Sequence, residues 1–521
     1  MAAPPQSPES TRSFDAIIIG AGISGLNGAY RLKSQLPGAT FTLLEGRDSF
    51  GGTWDLFRYP GVRSDSDLYS YGFGWRPRGV AEHIRFRHQV TAAHWSSKSQ
   101  RWHLKVDHEG ESQHFQARFI IMGTGYYDYK SPMKAVIPGI ENFQGEVIHP
   151  QFWPTNYDYS GKRLAIIGSG ATAITLLPEI AKEAAHVTMV QRSPSYIFST
   201  SNSGRNSQWL RKYLPLSLAG AIERIRGMMY IYMMVSYCHY FPQNARELMR
   251  KLAIEQLPDW IDYDTHFSPK YTPWQQRLCI TPDGDFYKAL HNRKADVVTG
   301  RIDTVTGGSI RMEDGTAVDA DVIITATGLN VQMGGNIDLQ VDGKAVAWGE
   351  KLMWNGTMIE DVPNLAYMLG YSNASWTLGA DNGIWVFIRL MKFMGRKRLQ
   401  TATPRAPKEA RAETSPWFRL TSNYLKHFKA VLSIRFIIAH VVILFIIIGL
   451  KAQHYRESKL FLVYLRRNHN AAYSQPRFWL LVKEEIRDLG YLTLGVLLHI
   501  LPLIGVKELH NLQSTRNIAG V

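Results

Sequence analysis

The sequence contains little cysteine, with only Cys238 and Cys279 among its 521 residues. Two cysteines cannot build a disulfide framework, and neither belongs to a CxxC or CxxxH pair, so we expect neither a secreted disulfide scaffold nor a metal site such as a zinc ribbon. Charged residues make up only 20% of the chain and apolar residues 45%, which excludes disorder over most of its length. Because one compact core rarely extends this far, we expect two or more domains.

Acidic residues are scarce in one region, and this absence explains the net charge of +15. Residues 389–521 hold 22 Lys and Arg against 7 Asp and Glu, whereas residues 1–388 hold 37 of each sign. The excess flanks apolar runs at 431–450 and 491–506, which are short or interrupted for a bilayer span of about 20 residues. Basic segments beside apolar runs favour an anionic membrane surface over nucleic acid. We predict that the tail, 426–521, is a membrane anchor; the alternative is that its apolar runs are packed helices.

The N-terminus also lacks an apolar run. Residues 1–13 are polar and include three prolines, so we predict a disordered lead and not a signal peptide. The protein is therefore expected not to be secreted. Together with the basic tail, this predicts a location in the cytoplasm, or at a membrane with the body of the protein facing the cytoplasm.

A glycine turn follows the first buried strand. Gly20, Gly22 and Gly25 lie between the apolar run Ala16–Ile19 and a helical pattern, and Glu45 ends the next predicted strand. In such a turn the first glycine permits the tight bend, the second lets a pyrophosphate approach the backbone, and the third lets helix and strand pack closely. The pyrophosphate would lie at the helix N-terminus, and Glu45 would accept hydrogen bonds from an adenosine ribose. The alternative is a glycine turn without a ligand.

A second unit of the same kind begins at the predicted strand Leu164–Ile167. Its turn carries Gly168 and Gly170, with Ala173 in the third position, an accepted variant. After its next strand the acid is absent and Arg192 stands there. A carboxylate would repel a 2′-phosphate, whereas an arginine can pair with it through two hydrogen bonds. This favours NADPH over NADH; the alternative is that Arg192 is an ordinary surface cation.

Strands and helices alternating around two such turns predict an α/β fold with two doubly wound, Rossmann-like domains. Two dinucleotide folds indicate an oxidoreductase with FAD in the first and NADPH in the second. We predict a lead at 1–13, an FAD-binding domain at 14–142 that is completed by 326–425, an NADPH-binding domain at 143–325 with a helical insertion at about 205–265, and the tail at 426–521.

The segment between the two folds resembles the FxGxxxHxxxW(P/D) fingerprint of Baeyer–Villiger monooxygenases, which are class B flavoprotein monooxygenases. The matching residues are Phe143, Gly145, His149, Trp153 and Pro154. Four further stretches agree with that family: Gly51–Asp55, Arg58–Asp65, Gly123–Tyr127 and Ala326–Gly328. The wording GTWDLFRYPG, TPWQQRLC and YSNASWTL is most similar to the ethionamide-activating subgroup. The resemblance covers residues 14 to 425.

The resemblance implies a monooxygenase that uses FAD, NADPH and O₂ and acts through a flavin peroxide on a small organic substrate. The product would be an ester or lactone from a ketone, a sulfur or nitrogen oxide, or an epoxide, and secondary metabolism is one setting for such a reaction. Arg277 aligns with the family's active-site arginine, and Asp65 aligns with the acid that positions it. The further cofactor contacts it implies are Gly52, Thr53, Trp54, Asp55 and His149.

Several of these residues have structural alternatives. Asp55 can buttress its turn, Trp54 can pack in a core, and His149 is more naturally a hinge residue than a proton donor. The chain also departs from the family after Phe73, where relatives usually carry an additional helix-sized stretch. A lost helix could open the site to water. Two other functions therefore stay open: an NAD(P)H-dependent flavin reductase that passes electrons to a partner, and a catalytically impaired, membrane-associated flavoprotein.

Overall fold

The structure is a computed structural model. It describes residues 11–64, 79–200, 210–276, 278–354, 356–370, 376–406, 414–416, 435–437 and 462–466. The helices are α1 (Ile23–Gln35), α2 (Thr53–Leu56), α3 (Ala171–Ile180), α4 (Leu216–Tyr240), α5 (Pro242–Ile254), α6 (Tyr263–His266), α7 (Asp285–His291) and α8 (Trp376–Arg396). The strands are β1 (Arg12–Ile19), β2 (Phe41–Leu44), β3 (Ile84–Arg85), β4 (His88–Ser96), β5 (Arg101–His108), β6 (Glu111–Met122), β7 (Glu146–Ile148), β8 (Arg163–Ile167), β9 (His186–Gln191), β10 (Ile197–Thr200), β11 (Cys279–Pro282), β12 (Ala295–Thr299), β13 (Ile302–Val305), β14 (Ser309–Met312), β15 (Ala317–Asp319), β16 (Val322–Thr325), β17 (Asp338–Val341), β18 (Lys344–Ala345), β19 (Leu352–Trp354), β20 (Met358–Ile359), β21 (Leu365–Tyr367), β22 (Thr401–Arg405), β23 (Thr414–Pro416), β24 (Arg435–Ile437) and β25 (Leu462–Arg466).

The first glycine turn belongs to a sheet with a parallel centre. The strand order there is β3-β2-β1-β6-β21, and every neighbouring pair in it is parallel. Both faces of this centre are covered, which is why its strands are continuous apolar runs. On one face, Ile18 packs in a core with side chains of α1 and α8 such as Leu32 and Phe387. On the other, Ile17 packs with Trp102 of the antiparallel β4-β5-β6 meander.

The second glycine turn belongs to a separate sheet with the order β12-β9-β8-β16-β7, in which every pair is parallel. Helix α3 covers one face, where Ile174 and Leu177 meet Ile166. The small antiparallel sheet β13-β14-β15 covers the other, through residues such as Ile310. The predicted α/β class with two doubly wound folds is confirmed.

Helices α4 and α5 lie in the sequence between β10 and β11, two strands that pair in parallel. They occupy the stretch where the helical insertion is predicted, although residues 201–209 lie outside the described residues. The domain boundaries themselves stay predictions. One local difference concerns the lead. Strand β1 begins at Arg12, inside the segment predicted as disordered, because Arg12 and Ser13 pair with Phe115 and Gln116 of β6.

Most of the predicted tail lies outside the described residues, including the apolar run 491–506. Two short pieces are described. Strand β24, within the apolar run 431–450, pairs with β19 and β23 at the edge of the first fold's sheet, and β25 pairs with β22. Among the helices that the structure describes, none has both the length and the apolar character needed to cross a bilayer.

Candidate cofactor and active site

The first glycine turn is packed too closely for any other residue at two of its three positions. Gly20 has a φ of +94°, and a Cβ there would lie 2.8 Å from the carbonyl oxygen of Gly123. A Cβ on Gly25 would lie 1.8 Å from the carbonyl oxygen of Gly20. Gly22 has more room, since its nearest neighbour would be the Cα of Gly52 at 3.6 Å. The turn therefore joins β1 tightly to α1, and no side chain caps the N-terminus of α1 at Gly22, as a pyrophosphate site requires.

Glu45 lies beside this turn, where the prediction places the ribose-binding acid. It follows β2, and only 8% of it is exposed. Its Oε2 accepts a hydrogen bond of 2.6 Å from the backbone amide of Ala21, and its Oε1 accepts one of 3.0 Å from the amide of Arg47. A carboxylate has about four acceptor positions. Glu45 is thus held in place with acceptor capacity left for ribose hydroxyls.

The stretch Gly51–Asp55 packs against the first turn. Gly51 donates a backbone hydrogen bond of 2.9 Å to Ala21, and Gly52 has a φ of +59° and approaches Gly22 so closely that a Cβ would lie 3.0 Å from its Cα. The side-chain oxygens of Thr53 and Tyr129 are 2.8 Å apart and hydrogen-bonded. The stretch therefore forms, beside the turn, a second wall of the site predicted for FAD.

Asp55 and Trp54 have different surroundings within that wall. The Asp55 carboxylate accepts hydrogen bonds of 2.5 Å from Ser49 and Arg47, and Arg47 also donates to the carbonyl of Gly52. The hydrogen bond from Ser49, together with Arg47, lowers the pKa of Asp55 below its ordinary value. These contacts match the buttressing role. Trp54 is 51% exposed, so it is not a core residue and its ring can meet a ligand.

The second turn repeats the tight geometry with a more open middle position. Gly168 has a φ of +136°, and a Cβ there would lie 2.3 Å from the carbonyl oxygen of Ala326. A Cβ on Gly170 would meet nothing within 4 Å. Ala173 is fully buried in α3, so its methyl group fits where the third glycine usually stands. Arg192 directly follows β9 and is exposed, with its guanidinium free to meet a phosphate.

His149 connects the fingerprint to the return segment. Its Nδ1 accepts a hydrogen bond of 3.3 Å from the backbone amide of Gln151. Burial lowers the pKa of His149 below its ordinary value, and a hydrogen bond with the backbone of Gly328 acts in the opposite direction. A buried, neutral imidazole whose Nδ1 accepts from the backbone of its own turn suits a hinge better than a proton donor.

An aromatic stack stands next to the first turn, and sequence reasoning assigned it no role. Trp376, at the start of α8, stacks on Tyr126 with ring centroids 4.8 Å apart and an interplanar angle of 24°. Tyr126 in turn contacts Tyr127. The indole nitrogen of Trp376 donates a hydrogen bond of 3.2 Å to Ser24, within the turn itself. The two rings are 250 positions apart along the chain, so no local pattern predicts their contact. The one signal in the sequence is that both lie in stretches that resemble the family.

The predicted catalytic residues Arg277 and Asp65 lie outside the described residues. Their neighbours are described on each side, from Gly61 to Ser64 and from Leu278 onwards. The structure thus brings together the predicted contacts of each glycine turn, while the placement of the catalytic pair stays a prediction.

Comparisons with known proteins agree with this geometry. A family model described as flavin-binding monooxygenase-like matches residues 58–212, and one described as an NAD(P)-binding Rossmann-like domain matches residues 18–84. The FAD-containing monooxygenase EthA of Mycolicibacterium smegmatis is 38% identical over 440 residues, which cover 80% of this chain and 89% of that protein.

Solved structures share the fold at lower identity. A cyclohexanone monooxygenase bound to ε-caprolactone is similar with a TM-score of 0.64 and 20% identity, over 87% of this chain and all of that one. The OTEMO complex with FAD and NADP has a TM-score of 0.59 and 22% identity, over 76% of this chain and 88% of that one. The family resemblance is confirmed, and nothing in these relatives supports the reductase or the impaired flavoprotein. The chain belongs to the FAD-containing monooxygenases of the flavin-binding monooxygenase-like family.

Proposed function

We propose that this protein uses NADPH and O₂ to insert one oxygen atom into a small organic substrate, with FAD in the first fold and NADPH in the second. The observation that carries the proposal is the pairing of two glycine turns with different flanking residues. The buried Glu45 stands beside the first turn, and the exposed Arg192 follows the strand next to the second. An acid suits a ribose with free hydroxyls, whereas an arginine suits a 2′-phosphate.

The residues around the first glycine turn fit FAD. The N-terminus of α1 at Gly22, which no side chain caps, would receive the pyrophosphate, and Glu45 would bind the adenosine ribose. Thr53 and the exposed ring of Trp54 would contact the cofactor from the opposite wall. Bound FAD would supply the centre that is reduced by NADPH and that activates O₂.

The residues around the second glycine turn fit NADPH. Gly170 leaves room for the pyrophosphate at the N-terminus of α3, and Arg192 would form a charge-assisted contact with the 2′-phosphate. His149 would hold the link between the folds at a constant geometry as a buried hinge residue, whose Nδ1 accepts from the amide of Gln151.

Arg277 and Asp65 are the proposed catalytic residues. A guanidinium stays charged at every relevant pH, so Arg277 would supply a permanent cation where negative charge develops on oxygen. The Asp65 carboxylate would position that guanidinium through hydrogen bonds. Three outcomes remain open on this basis: oxygen insertion into a ketone, oxidation of sulfur or nitrogen, and epoxidation.

The test is turnover of the FAD-loaded protein with NADPH and ¹⁸O₂ against ketones, sulfides and polyketide-like alkenes. We expect NADPH oxidation to depend on substrate and one ¹⁸O atom to appear in the product by mass spectrometry. Oxidation of NADPH with unlabelled product, or with transfer of electrons to an added acceptor alone, would establish the reductase instead. Purified protein that does not hold FAD would point to the impaired flavoprotein.

We also propose that the basic tail holds the enzyme at an anionic membrane surface, with the body on the cytoplasmic side. Support comes from the 13 Lys and Arg against 5 Asp and Glu over residues 426–521 and from the apolar run 491–506. Full-length protein should sediment with vesicles of phosphatidylcholine and phosphatidylserine, and less so with phosphatidylcholine alone or at high salt. Protein that remains in the supernatant with both vesicles would contradict the proposal.

A further inference from the structure

A short segment of the first fold, residues 59–63, lies directly on the second fold. Tyr59 packs against the core that α3 covers. Gly61 has a φ of +74°, and a Cβ there would lie 2.8 Å from the carbonyl oxygen of Thr175 and 2.5 Å from the Cγ of Glu179, both in α3. Glycine is therefore the one residue that permits this close approach. A movement of residues 59–63 away from α3 would break this contact between the two folds.

Arg63 extends this contact with an ion pair to Asp285. Nη1 of Arg63 lies 2.5 Å from Oδ2 of Asp285, and Nη2 lies 3.2 Å from Oδ1. The two side chains are 22% and 29% exposed. A bidentate, largely shielded arginine–carboxylate pair is stronger and more directional than an exposed one.

Asp285 is itself held firmly, so the pair is anchored on both sides. Its Oδ1 accepts a hydrogen bond from the hydroxyl of Thr281, which is fully buried at the end of β11, and another of 2.8 Å from the amide of Phe286. A carboxylate fixed by its own fold can set the position of a guanidinium from the other fold.

The pair also joins the two segments that carry the predicted catalytic residues. Asp65 follows Arg63 by two residues, and Arg277 precedes Asp285 by eight, with β11 between them. A change in the distance between Arg63 and Asp285 would therefore change the distance between these two segments. It would also change the orientation of one fold relative to the other.

We infer that Arg63 and Asp285 are positioning residues, which hold the NADPH-binding fold at the orientation needed for hydride transfer to FAD. The inference rests on the proposed function. The step moves one hydride, two electrons with one proton, from the dihydronicotinamide carbon to FAD, which leaves NADP⁺ and reduced FAD. The rate of such a transfer depends strongly on the positions of the donor and acceptor atoms, and a misplacement of about 1 Å can lower it by about 100-fold.

The first test measures geometry without turnover. Cys238 and Cys279 are buried, so spin labels can be attached selectively at Lys98→Cys in the first fold and Glu313→Cys in the second, both exposed positions. In the FAD-loaded protein we expect a narrow distribution of label distances. Asp285→Asn and Arg63→Met should broaden or shift it, and the swap Arg63→Asp with Asp285→Arg should partly restore it. Distributions identical in all variants would overturn the inference.

The second test is reduction of bound FAD by NADPH in anaerobic stopped-flow. We expect Asp285→Asn and Arg63→Met to lower the limiting rate constant by about tenfold or more, with FAD content unchanged and partial recovery in the swap. The control is Glu109→Gln, which removes an exposed pair with Arg87 inside the first fold and should leave the rate unchanged. Unaltered rates in both single variants would overturn the inference. If wild-type protein holds FAD that NADPH does not reduce, the proposed function fails, while the label distances still decide the role of the pair.

Discussion

Glu45 accepts a hydrogen bond from the backbone amide of Ala21 over 2.6 Å. The acid follows β2 and the amide lies between the first two glycines of the turn, so one bond ties the second strand to the ligand-binding loop. The residue predicted to bind a ribose therefore also shapes the turn that receives the pyrophosphate. Binding of both parts of the cofactor should depend on this side chain.

Replacing Glu45 tests this coupling. Glu45→Ala is expected to weaken FAD binding by about 10- to 100-fold, because hydrogen bonds to a charged group contribute about 1.5–3 kcal/mol. Glu45→Gln should weaken it less, since the amide oxygen can still accept from Ala21. The measurement is a fluorescence titration of apoprotein with FAD. Affinity in Glu45→Ala equal to that of wild type would contradict the assignment.

Two glycines of the first turn should respond differently to the same change. Gly25→Ala is expected to abolish FAD binding and folded yield, because the added methyl group would lie 1.8 Å from the carbonyl oxygen of Gly20. Gly22→Ala should fold, since its nearest contact would be an ordinary 3.6 Å, yet bind FAD more weakly by obstructing the pyrophosphate. Thermal unfolding and the ratio of flavin to protein absorbance distinguish the two. A Gly25→Ala protein with normal FAD content would show that this turn geometry is wrong.

Arg192 should determine the choice of nicotinamide cofactor. We expect Arg192→Ala to raise the KM for NADPH by about 10- to 100-fold while leaving that for NADH nearly unchanged, since only the 2′-phosphate loses a charge-assisted contact. Arg163→Ala is a matched control, because Arg163 begins β8 at the opposite edge of the parallel sheet and pairs with Asp321. Steady-state kinetics with both cofactors provide the measurement. Equal losses for NADPH and NADH would indicate a role other than phosphate recognition.

His149 should make stability depend on pH. Burial lowers its pKa in the folded protein from the ordinary value of 6.5, so the unfolded chain binds the proton more readily. The contribution of His149 to the free energy of unfolding is therefore complete above pH 6.5, its ordinary pKa. This contribution is lost as the pH falls through the lower pKa of the folded protein. Denaturant unfolding of wild type and His149→Gln at several pH values measures this. The decrease in the free energy of unfolding between neutral and mildly acidic pH should be smaller in His149→Gln than in wild type. Parallel pH profiles of the two proteins would show that His149 does not cause the pH dependence.

Much of the fold was predictable because its signals are local. The apolar runs of β1 and β8 and the glycine spacing after each come from neighbouring residues, and the structure has these two strands where the pattern predicts them. The family resemblance depends on short motifs of the same kind and is confirmed. Residue types alone could not decide whether Asp55 and Trp54 have structural roles or contact a cofactor. The hydrogen-bond partners of Asp55 and the exposure of Trp54 decide this, and both depend on the tertiary structure.

What the sequence by itself determined is the chemistry of the two predicted dinucleotide sites: glycines where a backbone must approach a phosphate, an acid beside one turn and an arginine after the strand next to the other. Only the tertiary structure decided what joins them. Arg63 and Asp285 are 222 positions apart, and Tyr126 meets Trp376 across a similar distance along the chain. No local pattern encodes such pairs, because their contact depends on how two sheets and the helices on them pack. Many other residues of the same types could form the same ion pair or ring contact, so residue type alone does not select the partner.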